Sequence, residues 1–362
     1  MYRRYYHEED NRKGVHCCAY FLIILTILSA ICLVSFVTLN ANPFSLSKML
    51  AEIKHEQEVM LAFEDFKREY VKTYDTIEEE NARKEIFKAN YERIIATNKE
   101  QNSFQLGVNK FADLTQDEFR AMYLAKPEFI DLSEFKDTPT QDHTDNLDKD
   151  WDKEGYMNPI RDQGNCGSCW AFAAVSAAEA VYAIKNAKKL LSFSEQELVD
   201  CINTQTSNGC NGGERWEALE YIAKNGIVSR DKYPYVARDE KCKREGHDKT
   251  KPINGSFNLT KGKNKELAEE VVKRPVSIGV NASPFNFMFY REGILDKACP
   301  HDEINHAVVA VGVGNKDGKL FWKIRNSWGS NWGEGGHIRI ERDTGDSPGL
   351  CGVAVKACAP VA

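Results

Sequence analysis

A run of small residues around two sulfurs, Gln163-Gly164-Asn165-Cys166-Gly167-Ser168-Cys169-Trp170, stands directly before an apolar, alanine-rich stretch from Cys169 to Asn186 that reads as a buried helix. A cysteine where a helix begins faces unpaired backbone N–H groups and the positive end of the helix dipole, and both favour thiolate over thiol. Cys169 is therefore a candidate nucleophile, and Gly167 and Ser168 are small enough to admit a substrate backbone. Such a nucleophile needs a proton carrier, and His306 opens the apolar run His306–Val313, 137 residues downstream. Other histidines fit less well: His247 and His301 sit among charges, and His337 lies between Gly336 and Ile338 in a later strand. Asn326, in Asn326-Ser327-Trp328-Gly329, can hold the imidazole by the ring nitrogen that does not face Cys169, with Trp328 covering that bond. Gln163 offers an amide N–H which, with the backbone N–H of Cys169, would receive the oxyanion of a tetrahedral intermediate. Taken singly, the histidine reads as structural and the asparagine and glutamine as turn residues. Together the four describe nucleophilic attack on an acyl group.

These residues need elements to hold them. Residues Ser47 to Asn98 are charged and periodic and predict two helices separated near Lys72–Asp75, at the least a charged helical hairpin. Residues 127–149 are polar, acidic and poor in aliphatics, as suits an exposed, cleavable linker, and place a boundary near residue 145. Beyond it, helical patterns over Cys169–Asn186, Ser194–Asp200 and Gly213–Asn225 precede strand-like runs at Pro275–Asn281, His306–Val313, Leu320–Arg325 and Gly336–Ile340. Helices first and strands later predict an α+β domain of two lobes, one helical and one mainly β.

The chain has 362 residues, 42% of them apolar, which is enough for a folded protein of more than one unit. Lys and Arg number 48 against 54 Asp and Glu, leaving no global basic field to attract nucleic acid. Residues 17–39 carry no charge and would span about 34 Å as a helix, enough to cross a bilayer. A secretory signal peptide is the alternative, but the 16-residue leader and the long apolar run favour an uncleaved anchor. Arg3, Arg4, Arg12 and Lys13 precede it, so residues 1–16 are expected in the cytosol and the rest of the chain in a lumen or outside. Eight of the eleven cysteines fall between Cys166 and Cys358, the pattern of a disulfide-bonded region in an oxidising compartment. Structural zinc is the competitor, but no second C-x-x-C or H-x-x-x-H follows, so no metal or cofactor is expected.

The string Cys166-Gly-Ser-Cys169-Trp170, with His306 within the expected interval of about 130–150 residues, resembles the papain-like cysteine proteases, specifically the cathepsin L group, over residues 55–362. Independently of the active site, Glu79, Arg83, Phe87, Asn90, Ile94 and Asn98 match the ERFNIN pattern of that group's pro-regions. Gly107, Asn109, Phe111 and Asp113 match their GxNxFxD signature. The resemblance implies a papain-like fold with a helical left lobe and a β-barrel-like right lobe. It implies an inhibitory propeptide over residues 40–144 that threads the cleft backwards, and a mature peptidase over 145–362. It also implies cleavage of proteins or peptides, inhibition by cystatin-type proteins, and bridges Cys166–Cys210, Cys201–Cys242 and Cys299–Cys351, leaving Cys358 as a buried free thiol.

Gly212 and Gly213 resemble the family's substrate-binding edge. Gly279, Ile304 and Ala307 match the walls of the pocket that reads the side chain before the scissile residue, called P2. Glu214, Arg215 and Lys356 add three charges there, as solvated rim residues, as a Lys356–Glu214 pair closing the floor, or with Lys356 accepting an acidic P2 residue. Leu or Val is the expected P2 residue, with Arg rejected. Asn254, Asn258 and Asn281 head possible glycosylation sequons. The anchor, the long pro-region and the context of His306 look like the falcipain-type proteases of apicomplexan parasites, which implies a lysosome-like or food-vacuole compartment. The hairpin those enzymes insert between His and Asn is absent, since only 19 residues separate His306 from Asn326. Two other classes compete: a non-catalytic, membrane-tethered binding protein of the same fold, and a transglutaminase-like acyltransferase, which would leave the propeptide motifs unexplained.

Overall fold

The computed structural model describes residues 43–100, 103–135, 147–342 and 348–362. The apolar stretch 17–39 and the segment 136–146, where the anchor and the processing boundary are expected, lie outside the described residues. Among the described residues no helix is long and apolar enough to cross a membrane. The chain divides into two compact units, residues 1–65 and 66–362. The first contributes most of helix α1 (Pro43–Glu69), with exposed pairs Lys48–Glu52 and Lys54–Glu58 one turn apart. The second holds every residue of the expected site.

Helix α2 (Ile77–Glu100) is the second helix that periodicity predicts, and its matched residues have structural work. Arg83 donates to Glu118 at 2.8 Å and to the Asp113 carbonyl at 3.1 Å. Asn90 donates to the carbonyls of Ala112 and Leu114, both at 2.9 Å. Asn98 both donates to and accepts from the backbone of Leu106, in strand β1 (Phe104–Leu106). An asparagine can satisfy a donor and an acceptor of one extended backbone at once, which is why amides rather than charges recur along this face. Helix α3 (Gln116–Tyr123) is not among the predicted elements, although Thr115 and Glu118 form a capping box that marks its start in the sequence. It leads into β2 (Glu128–Phe129).

Beyond β3 (Lys149–Asp150) come α4 (Cys169–Lys185), α5 (Glu195–Cys201) and α6 (Arg215–Asn225), as the sequence predicts. The short strands β4 (Ile227–Val228) and β5 (Lys249–Thr250) pair with each other. Next are β6 (Gly255–Asn258), α7 (Asn264–Lys273), β7 (Val276–Val280), α8 (Phe285–Met288), β8 (Tyr290–Gly293) and β9 (Glu303–Ile304). The chain closes with β10 (His306–Lys316), β11 (Lys319–Arg325), β12 (His337–Glu341) and β13 (Ala357–Val361). The main sheet runs β12-β11-β10-β7-β13-β6, with β3 on β10. Among the described residues no ladder joins β12 to β6, so the expected barrel does not close. At that edge of the sheet β6 packs against α6 instead.

Helix and sheet share one core. Ala171, Val175 and Ala178 of α4 belong to the same buried cluster as Val309 and Val311 of β10. Small alanines along α4 bring its axis close to the sheet, and this contact fixes the first residue of α4 against the first residue of β10.

Candidate active site

Those first residues are Cys169 and His306. Across one cleft, Cys169, His306 and Ala307 share the wall with Gly212, Ile304 and Lys356. The Nε2 of His306 lies 2.8 Å from Asn326 Oδ1. Trp328 stacks on the imidazole with ring centroids 4.6 Å apart, so Asn326 and Trp328 both lie against the histidine. His306 Nδ1 has no hydrogen-bond partner among the described residues. Gln163 is buried and held from three sides: its N–H donates to the Ser327 carbonyl at 2.9 Å, its Oε1 accepts from Ser327 Oγ at 2.7 Å, and its Nε2 donates to the Cys166 carbonyl at 2.9 Å. Ser327 is a positioning group that sequence reasoning misses, though it stands inside the Asn-Ser-Trp-Gly string.

Burial pushes the Cys169 thiol up, against the pull of the N–H groups of Ala307, Trp170 and Cys169 itself and of the Arg215 charge. Burial likewise pushes His306 down to about 4, opposed by its bond to Asn326 and assisted by Arg215. The covered cleft therefore favours neutral thiol and neutral imidazole, not the thiolate that the helix start suggests. What lies over the cleft is the chain's own segment 123–130. The Tyr123 carbonyl accepts from Gln163 Nε2 at 3.2 Å, the Ala125 N–H donates to the Asn305 carbonyl at 2.8 Å, and β2 pairs antiparallel with β9, Glu128 opposite Ile304. The Tyr123 carbonyl thus sits on the amide expected to receive an oxyanion. Behind it Phe111 and Phe119 meet Trp328 edge-on, both at 5.3 Å, and Asn109 Nδ2 donates to the Met288 carbonyl at 2.8 Å.

Disulfides join Cys166 to Cys210, Cys201 to Cys242 and Cys299 to Cys351. Cys169 and Cys358 are free and buried. The first bridge, with the Gly167 N–H bonded to the Cys210 carbonyl at 2.9 Å, ties the loop before Cys169 to the glycine edge. A Cβ on Gly213 would lie 2.5 Å from the Trp170 ring, and one on Gly212, at φ 113°, would press on Ala125 of the covering segment. Lys356 Nζ reaches Glu214 Oε1 at 3.2 Å, so the pair that closes the pocket floor forms, and it also contacts Glu128. Arg215 is buried against Gly279, in the cleft that Ile304 and Ala307 also line, rather than solvated at the rim. Of the sequons, Asn254 and Asn258 are exposed. Asn281 is buried and accepts from the Ser283 N–H and Asn305 Nδ2, which removes it as an accessible sugar acceptor in this state. Among the described residues no group of His, Cys, Asp and Glu has the arrangement of a metal site.

A family model for papain family cysteine proteases matches residues 146–361, and one for the cathepsin propeptide inhibitor domain (I29) matches residues 63–119. The chain belongs to the papain family of cysteine proteases. It is 39% identical over 339 residues to caricain from Carica papaya, covering 90% of this chain and 93% of that one. It is 40% identical over 300 residues to the KDEL-tailed cysteine endopeptidase CEP2 of Arabidopsis thaliana, covering 79% and 81%. Among solved structures, a recombinant stem bromelain precursor superposes with a TM-score of 0.74 at 34% identity, over 84% of this chain and 99% of that one. The proform of the ragweed pollen allergen Amb a 11 does so with 0.72 at 34% identity, over 84% and 95%. This papain-family chain is thus a cysteine endopeptidase zymogen whose propeptide domain acts as an intramolecular inhibitor.

Proposed function

We propose that Cys169, His306, Asn326 and Gln163 carry the hydrolysis. Once the propeptide is removed, water and charge return to the cleft, and the thiol proton passes to His306 Nδ1. The thiolate attacks the peptide carbonyl carbon, and the oxyanion is held by Gln163 Nε2 and the backbone N–H of Cys169. His306 then gives its proton to the leaving amine, and a water attacks the thioester, its proton taken by the imidazole, to release the acid and restore the thiol. The observation that carries the reading is the 2.8 Å bond from His306 Nε2 to Asn326 Oδ1, which turns the unpartnered Nδ1 toward the cleft shared with Cys169. Gly212 and Gly213 bind the substrate backbone, and the pocket beyond Ile304 and Ala307 receives P2.

The finer assignments belong to the same proposal. Residues 17–39 anchor a type II precursor, and the catalytic unit faces a lysosome-like or vacuolar lumen. Maturation cuts near residue 145, sugar is carried by Asn254 or Asn258, and cystatin-type proteins inhibit the open cleft. The falcipain likeness rests on the anchor-like run, the long pro-region and the context of His306, while the tight turn at Asp317-Gly318 from β10 to β11 leaves no room for the hairpin those enzymes insert. An epoxide thiol inhibitor should label the acid-activated wild-type chain stoichiometrically and leave Cys169→Ser unlabelled. An unlabelled wild-type chain would return the binding-protein reading.

A further inference from the structure

The pocket beside the catalytic pair holds an unpaired cation. Arg215 is the first residue of α6 and is only 7% exposed, yet among the described residues it has neither an ion pair nor a hydrogen bond, and its Nε is buried without a partner. Its guanidinium fills the space over Gly279, where an added Cβ would lie 3.3 Å from Nη1 and 3.4 Å from Nη2. The absence of a side chain at Gly279 is what lets the guanidinium reach the pocket wall. The neighbouring charges are Glu214 and Lys356, and these two pair with each other at 3.2 Å. Two further charges belong to the propeptide: Glu128 places its carboxylate on Lys356, and Lys126 also lines the pocket. With the propeptide in place, three cations and two carboxylates line the pocket. When it leaves, Arg215 and Lys356 face Glu214 alone, and the pocket carries one uncompensated positive charge.

We propose that this pocket selects an acidic side chain of the substrate, taking Glu at P2 in preference to Leu, with Arg215 as the specificity-determining residue. The inference rests on the endopeptidase reading above and deepens it. An apolar P2 residue pressed against Arg215 would strip water from a guanidinium with no partner, whereas a carboxylate supplies two acceptors in the geometry of its fork. The isosteric amide of Gln offers one acceptor and no charge, so Glu against Gln isolates the charge. Glu128 is the chain's own precedent, a carboxylate brought to the same pocket by the inhibitory segment. The pocket walls Ile304 and Ala307 fit the methylenes of a glutamate, so the preference for Leu or Val expected from those walls is reversed by the cation behind them.

The test uses the full-length zymogen, activated by acid or limited proteolysis and titrated with the epoxide inhibitor to count active sites. Four peptides differing only at P2 (Glu, Gln, Leu, Arg) are compared by kcat/KM. The wild type should cut the Glu peptide at least tenfold better than the Gln or Leu peptide and reject Arg. Arg215→Met should bring Glu and Gln within about twofold and favour Leu, while Lys356→Met should reduce the Glu preference only in part. Equal rates for Glu and Gln in the titrated wild type, or Leu preferred over Glu, overturn the inference whatever the variants do. If no peptide is cut and no site titrates, the endopeptidase assignment of this site fails and the inference falls with it, an outcome distinct from the first.

Discussion

Asn326 does two jobs with one oxygen: its Oδ1 accepts from His306 Nε2 and from the Ser327 N–H, both at 2.8 Å, while its Nδ2 is buried without a partner. That leaves the amide little freedom to turn, and the imidazole inherits its orientation, clamped from the flat side by Trp328. Asn326→Ala should lower kcat by about 10²-fold, the lower end of what a positioned proton carrier contributes, and leave KM nearly unchanged, because the ring would still be present but no longer aimed. Steady-state kinetics on peptide substrates check this, and a loss confined to KM would remove Asn326 from the catalytic group. The two sulfurs at the head of α4 show why residue type alone does not fix a role. Cys166 and Cys169 are three residues apart, yet one is bridged to Cys210 and the other is free at the helix start.

Among the elements, the inhibitor works through α2 and the strand-like segment it clamps. Asn90 alone satisfies two carbonyls, those of Ala112 and Leu114, which flank Asp113. Asp113 in turn accepts from Lys72 at 2.8 Å and Tyr74 at 3.0 Å. Asn90→Ala would leave two carbonyls without donors, at a cost of about 1–3 kcal/mol. If that energy holds the propeptide closed, the epoxide should reach Cys169 in the intact zymogen about 5- to 150-fold faster than in wild type at neutral pH. An unchanged labelling rate would mean that the clamp stabilises the propeptide without holding it on the cleft. The ERFNIN residues are legible from spacing because a helix repeats its faces. Helix α3 and strand β2 are not, since eight residues and two residues carry too little periodicity to declare themselves, and only pairing with the mature domain orders β2.

For the molecule as a whole the balance is electrostatic. The propeptide buries a thiol and an imidazole and in doing so holds both neutral, with His306 pushed down to about 4. Uncovered, the imidazole returns toward its ordinary 6.5 or above, where a thiolate would support it. Between those values the uncovered state binds the extra proton, so lowering pH from about 6.5 to about 4 should favour release, by at most about tenfold per pH unit. His337, also pushed down to about 4 by burial, acts on folding in the same direction: stability present above 6.5 is lost as pH falls toward 4. Hydrogen exchange in segment 123–130 of the full-length Cys169→Ser chain, corrected for its intrinsic pH dependence, should accelerate through this window more than exchange in α4. Parallel pH dependences in the two segments would show that His306 burial is not coupled to the covering segment.

Local patterns were enough to nominate the chemistry and to order the elements: a candidate nucleophile at a helix start, a histidine at the head of an apolar strand and two asparagine-bearing motifs can each be read in a short stretch of chain. Resemblance extended that legibility to the three bridges. Which charges meet was settled only by folding: Lys356 joins Glu214, Arg215 is buried without a carboxylate, and Glu128 of the inhibitory segment enters the same pocket. Residues 128, 215 and 356 are far apart along the chain, and electrostatic energy depends on distance and burial, neither of which a linear sequence contains.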